Sequence, residues 1–109
     1  MNKLATVKFS GKSGTRYAFT AYPLETVFAQ GFSGVYVVTQ RKPGKSKSGF
    51  VHRRMCTGQR DGLCQPLASG GQSFAARGAN CICLHVEKDK GARQQIEQDL
   101  VREPRTGSA

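Results

Sequence analysis

Apolar residues in this chain follow two periods: two over most of its length, and a helical period near its C-terminal end. Val7 and Phe9, then Tyr17, Phe19 and Tyr22, fall at mostly alternating positions in residues 5–10 and 15–22. Between them lies Ser10-Gly11-Lys12-Ser13-Gly14, a turn composition. Alternation on both sides of such a turn predicts an N-terminal β-hairpin, which Pro23 ends. Residues 24–30 place Leu24, Val27 and Phe28 at i, i+3 and i+4, the spacing of one or two helical turns.

Residues 34–40 (Gly-Val-Tyr-Val-Val-Thr-Gln) are β-branched and aromatic, which predicts a strand buried on both faces. A polar run from Arg41 to Gly49 follows, and a second strand is predicted from Phe50 to Thr57, paired with the first as a hairpin. In residues 61–76, Pro66 and Gly70-Gly71 break any helical pattern. Residues 79–87 read as a further strand. Asp89 is placed to cap a helix on which Ala92, Ile96 and Leu100 share one stripe, and Pro104 stops it. The tail 105–109 is expected to be flexible. The implied fold class is α+β: a small, mostly antiparallel β-sheet with flanking helices, in a single domain spanning 1–109.

Charge changes the picture. Lys and Arg number 17 against 7 Asp and Glu, a formal net charge of +10 with pI near 10.0. Such an excess favours a polyanionic partner, most simply nucleic acid and in particular DNA, by neutralising phosphates and releasing counterions. A membrane partner is not expected, because the chain has neither an apolar run of spanning length nor an amphipathic basic helix. The N-terminal run Met1-Asn2-Lys3-Leu4-Ala5-Thr6-Val7-Lys8 lacks an apolar signal core, which predicts a cytoplasmic location. Cys56, Cys64, Cys81 and Cys83 are then expected as reduced thiols.

The charge is concentrated. Arg41, Lys42, Lys45, Lys47, Arg53, Arg54 and Arg60 are seven cations in a stretch with no acidic residue. They are the candidate nucleic-acid-binding residues, a phosphate-tracking arm at the tip of the central hairpin; a solvated loop is the plainer alternative. Gly11-Lys12-Ser13 and Gly44-Lys45-Ser46 mimic the end of a phosphate loop, but Thr6 and Thr39 stand where its first glycine is needed, so both read as turns. Cys81, Cys83 and His85 alternate on one strand face and raise the question of zinc. Residues i and i+2 lie about 6.5–7 Å apart along a strand. Tetrahedral zinc needs its ligand atoms about 2.0–2.3 Å from one ion. On that spacing the cysteines are read as buried structural residues.

One ordered set of short motifs remains. Gly34-Val35-Tyr36, then Cys56-Thr57-Gly58-Gln59 with Leu63, then Gly78-Ala79-Asn80 and Arg93-x-x-Ile96-Glu97-x-Asp99-Leu100 resemble the GIY-YIG nuclease superfamily across about residues 16–105. The resemblance implies a site in which a metal-bound water attacks a DNA phosphodiester. Tyr36 matches the first motif tyrosine, and Glu97 the glutamate that holds a Mg²⁺ or Mn²⁺ ion. The hard cation would act as a Lewis acid. Other positions depart from the pattern. Cys56 replaces the second motif tyrosine, Pro66 falls where an arginine is usual, Gly70 lies near a usual histidine or tyrosine, and residues 105–109 lack the terminal asparagine. Losing one preorganised charge-stabilising donor commonly costs about 10²–10³ in rate.

The expectation is therefore a degenerate member, a pseudoenzyme that binds nucleic acid, with no cofactor, or Mg²⁺ or Mn²⁺ if active. Arg60 or Arg77 could replace the missing arginine in space. Two rivals stand beside this reading: an active metal-dependent endonuclease with a rearranged site, and a basic interaction protein for an acidic protein partner. Tyr36 also reads as a core-filling strand aromatic, Glu97 as a surface partner of Arg93, and Cys56 as a thiolate near Arg54 or Arg60.

Overall fold

The structure, a computed structural model, describes residues 3–26, 33–47, 49–62 and 76–101. Within them run β1 (Ala5–Ser10), β2 (Arg16–Pro23), β3 (Gly34–Pro43), β4 (Phe50–Arg60), β5 (Cys81–Val86) and α1 (Lys90–Val101). The two expected hairpins form. β1 pairs with β2 from Ala5↔Ala21 to Ser10↔Arg16, and β3 with β4 from Gly34↔Arg60 to Pro43↔Phe50. β4 continues three residues past the expected end at Thr57, because Gln59 and Arg60 still find partners on Val35 and Gly34. Of the segment 24–30, where one or two helical turns were expected, 24–26 are described and hold a turn in which Thr26 N donates to the Pro23 carbonyl at 3.1 Å; residues 27–30 lie outside the described residues. So do Leu63, Cys64, Pro66, Gly70 and the tail 105–109.

All neighbouring strands are antiparallel, in the order β1-β2-β5-β3-β4. The last strand in the chain thus enters the middle of the sheet. Central position explains the composition of β5: Cys81, Ile82, Cys83 and Leu84 are all buried, since both faces are covered.

The sheet curls. β1 and β4 are opposite edges, yet the rings of Phe9 and His52 lie 6.5 Å apart, edge to face. The face they share is therefore the concave one. It holds Phe9, Phe19, Ala21, Val35, Val37, Cys81 and Cys83, and α1 adds Leu100 and Ile96 to the same cluster. The other face carries Leu24, Val38, Ala79, Ile82 and Leu84, with Tyr22, Tyr36, Met55 and Cys56 packed against them.

A β-bulge decides which side chains of β4 face inward. Val38 pairs with Cys56 but Thr39 pairs with Arg54, so Met55 is the extra residue. Met55 and Cys56 both pack on the convex cluster. Beyond the bulge the alternation is reversed, and Arg54 and His52 turn to the concave side.

Asp89 caps α1 as expected: its Oδ2 accepts from Ala92 N at 2.8 Å. The far end of the helix is tied to the β1–β2 turn. Asp99 accepts from Ser13 N at 2.9 Å, Ser13 Oγ at 2.7 Å and the Tyr17 hydroxyl at 2.8 Å. These three donors, the Ser13 hydroxyl first, hold the Asp99 carboxyl below its ordinary value of 3.8. α1 is the one helix described over its length; Ala76 is also helical, and the residues before it lie outside the described residues. The result is a small compact domain, with a Cα radius of gyration of 13.1 Å, of a kind compatible with α+β. Among the described residues no helix is long and apolar enough to cross a membrane.

Candidate functional site

Tyr36 sits near the open end of the β3–β4 hairpin, directly opposite Gly58. Its ring lies over that glycine. A Cβ on Gly58 would be 2.5 Å from the Tyr36 hydroxyl oxygen and 2.6 Å from Cζ. Glycine is required here by space, so Tyr36 and Gly58 form one packing unit across two strands. Cys56, two residues earlier on β4, shares the convex cluster with Tyr36.

Electrostatics gathers more residues around them. Burial raises the Tyr36 phenol above its ordinary 10.0; Cys56 and Glu97 add to the rise, and Arg60 opposes it. Burial likewise raises the Cys56 thiol; Glu97 adds to it, and Arg77 opposes it. The carboxylate of Glu97, carried on α1, therefore acts on both side chains, with Arg60 and Arg77 as the neighbouring cations. At neutral pH both groups are protonated, so Cys56 is a thiol and not the thiolate contemplated from its basic neighbours. The cation acting on it is Arg77; Arg54 is turned to the concave face.

Glu97 is not the partner of Arg93. Arg93 is 5% exposed, and its guanidinium is turned to β4 and to the segment before α1. Nε donates to Gln59 Oε1 at 2.9 Å, and Nη1 to the carbonyls of Lys88 at 2.8 Å and Glu87 at 3.3 Å. The helical spacing of Arg93 and Glu97 suggested a surface pair, but burial against β4 gives the arginine stronger obligations. Among the described residues Glu97 belongs to no cluster of three or more possible ligands, so a hard cation held there would take its remaining ligands from water and a substrate phosphate.

The seven cations of the central segment separate into two groups. Lys42, Lys45, Lys47, Arg53 and Arg60 are exposed. Arg41 and Arg54 are half-buried. Arg54 lies 5.7 Å from the Phe9 ring centroid and donates to the Leu100 carbonyl at 3.4 Å. Arg41 stacks on Phe50 at 3.7 Å, and its Nε is buried with no hydrogen-bond partner among the described residues. Beside it opens a groove of about 380 Å³ between the hairpin tip and β1, lined among others by Lys8, Arg16, Arg41, Ser46, Lys47 and Phe50. Lys8 and Arg16 were absent from the sequence-based candidates. They are isolated cations on strands, and only the curl of the sheet brings them to the basic loop.

A second cluster was read differently from the sequence. His52, Cys81 and Cys83 present ligand atoms all within 4.8 Å of one another. The strand-spacing objection to zinc fails here, because it used backbone separations and the two sulfurs lean together. The histidine also differs from the one considered: His85 Nδ1 is bonded to the Ala18 carbonyl at 2.8 Å. Thr39 Oγ1 lies 2.9 Å from His52 Nδ1. The closeness of the two thiols holds Cys81 down, to about 7, and together with burial pushes Cys83 up. Burial, aided by the Arg41 charge, lowers His52 below 6.5 and keeps its imidazole neutral. No signal along the chain joins position 52 to 81 and 83; the bulge at Met55 and the central placement of β5 do so.

Comparison with family models, with curated proteins and with solved structures finds no match for this chain.

Proposed function

We propose that this chain is a GIY-YIG-like nucleic-acid-binding domain that has lost endonuclease activity. The observation that carries the reading is that Tyr36 and Cys56, from two strands, pack in one cluster at the open end of one hairpin, within the field of Glu97, Arg60 and Arg77. The pairing of Tyr36 with Gly58 adds a physical reason for the glycine of the second motif. Against catalysis stands Cys56 in the place of a tyrosine, a shorter side chain whose thiol is a weaker hydrogen-bond donor than a phenol. Two arginines favour holding a phosphate there.

Exposed Lys42, Lys45, Lys47 and Arg53 extend the positive surface along the same hairpin to its tip. Gln40 is four residues from Tyr36, roughly 13 Å along a strand. A duplex touching both places is thus spanned within one turn, about 34 Å.

Binding of labelled duplex DNA, measured by fluorescence anisotropy across a salt series, tests the reading. Affinity should fall steeply with salt, and Lys45→Glu with Lys47→Glu should weaken all sequences alike. A salt-independent affinity would remove phosphate neutralisation from the proposal. Incubation of supercoiled and branched DNA with Mg²⁺ or Mn²⁺ should give no nicking. Nicking that disappears in Glu97→Ala would establish the active-enzyme rival instead. A protein partner that remains bound after nuclease treatment and at high salt would favour the acidic-protein alternative.

A further inference from the structure

We propose that Cys81, Cys83 and His52 bind a zinc ion on the concave face, stapling the central strand β5 to the edge strand β4 across β3. This inference is independent of the nucleic-acid reading, since it uses none of Tyr36, Cys56 or Glu97.

The donor set points to the metal. Two sulfurs and an imidazole nitrogen form a soft, borderline set that suits zinc and excludes magnesium or calcium. Distances are close to what is needed. Zinc bonds of about 2.3 Å to sulfur and 2.0–2.1 Å to nitrogen in a tetrahedron separate the ligand atoms by roughly 3.5–3.8 Å. The three atoms already lie within 4.8 Å of one another, so side-chain adjustment of roughly 1 Å completes the geometry. Thr39, on the strand between the two ligand-bearing strands, lies beside the set, its Oγ1 2.9 Å from His52 Nδ1.

A disulfide between the same cysteines is disfavoured. Positions i and i+2 on a strand lie at or beyond the upper end of the Cα range that a disulfide spans, about 4.4–6.8 Å. The two residues are free thiols among the described residues. Both have 0% exposure, which marks a structural site and not one open to substrate. Loading balances charge and protons: Zn²⁺ displaces one proton from each thiol, two thiolates neutralise the ion, and neutral His52 adds its lone pair.

The test uses the full chain, purified reduced. Titration with Co²⁺ should give a thiolate-to-cobalt charge-transfer band and strong tetrahedral ligand-field absorption, saturating at one equivalent and abolished by added zinc. His52→Ala should lose the tetrahedral absorption, whereas His85→Ala should keep it. X-ray absorption of the zinc-loaded wild type should show sulfur at about 2.3 Å and nitrogen at about 2.0–2.1 Å. Weak octahedral cobalt absorption without the charge-transfer band would overturn the proposal. So would a zinc shell lacking sulfur, or a tetrahedral signal retained in His52→Ala and lost in His85→Ala. Should Cys81→Ser or Cys83→Ser fail to fold, the wild-type absorption data and the two histidine variants still decide.

Discussion

Gly58→Ala offers the sharpest probe of the Tyr36 packing unit. In an ordinary strand interior alanine is better than glycine by about 0.5–1 kcal/mol, because glycine loses more conformational freedom on folding. Gly58 is not ordinary. It is buried, and its Cβ would lie 2.5 Å from the Tyr36 hydroxyl oxygen and 2.6 Å from Cζ. Real Cβ atoms do not approach that closely, so the tyrosine ring must swing away from the convex cluster it packs against. Overpacking of this kind costs about 1–3 kcal/mol. The net effect in the wild type is a loss of up to about 2.5 kcal/mol, the clash less the glycine gain. For a domain of this size each kcal/mol shifts Tm by about 4–8 °C.

The same substitution in a Tyr36→Ala background meets no ring. There it should stabilise by about 0.5–1 kcal/mol, a reversal of sign. A double-mutant cycle from urea denaturation should therefore give a coupling of about 1–3 kcal/mol between the two positions. Equal costs of Gly58→Ala in both backgrounds would refute the reasoning and detach Tyr36 from the second motif.

Arg93→Ala should destabilise the fold by about 1.5–3 kcal/mol, because it removes charge-assisted bonds to Gln59 and to two carbonyls. Arg93→Lys should recover little in denaturant titration, since an ammonium lacks the fork that reaches three acceptors at once. Asp99 sets part of the acid limb of stability. Its folded carboxyl titrates below 3.8 while the unfolded one titrates near that value, so the unfolded state binds more protons in between. Its contribution should be complete above the unfolded value and fade as pH falls through the folded one. Asp99→Asn should flatten that part of the pH–stability curve, measured from urea midpoints between about pH 5 and pH 2. In the DNA salt series, Lys8→Glu with Arg16→Glu should lower the slope by about 0.9 for each phosphate no longer neutralised; an unchanged slope would exclude the groove beside Arg41 from the interface.

Local pattern made much of the fold legible. The alternation Val7, Phe9, Tyr17, Phe19 around a Gly-rich turn determined the first hairpin, and β-branched Val35, Val37 and Val38 determined a doubly covered strand. Asp89 and the Ile96–Leu100 stripe determined α1. These features are legible because they depend on neighbours within a few residues, where backbone preference and burial period act together. The concentration of charge between Arg41 and Arg60 was equally plain, as composition needs no fold to be read.

What lay beyond the sequence was every relation that depends on a long-range choice. Nothing along the chain says that β5 enters between β2 and β3, yet that insertion sets Cys81 beside Thr39 and Cys83 beside Val37. Strict alternation along β4 would have put His52 on the same face as Cys56 and Gly58. One extra residue at Met55 reverses the parity and sends His52 inward to Thr39 and the two sulfurs. The curl of the sheet then carries Lys8 and Arg16 to the basic loop, and docking of α1 brings the charge of Glu97 to act on Tyr36 and Cys56. A side chain's face is decided by register, and register follows from the packing of the whole sheet, so the sequence alone determined the strands while the tertiary structure decided which residues meet.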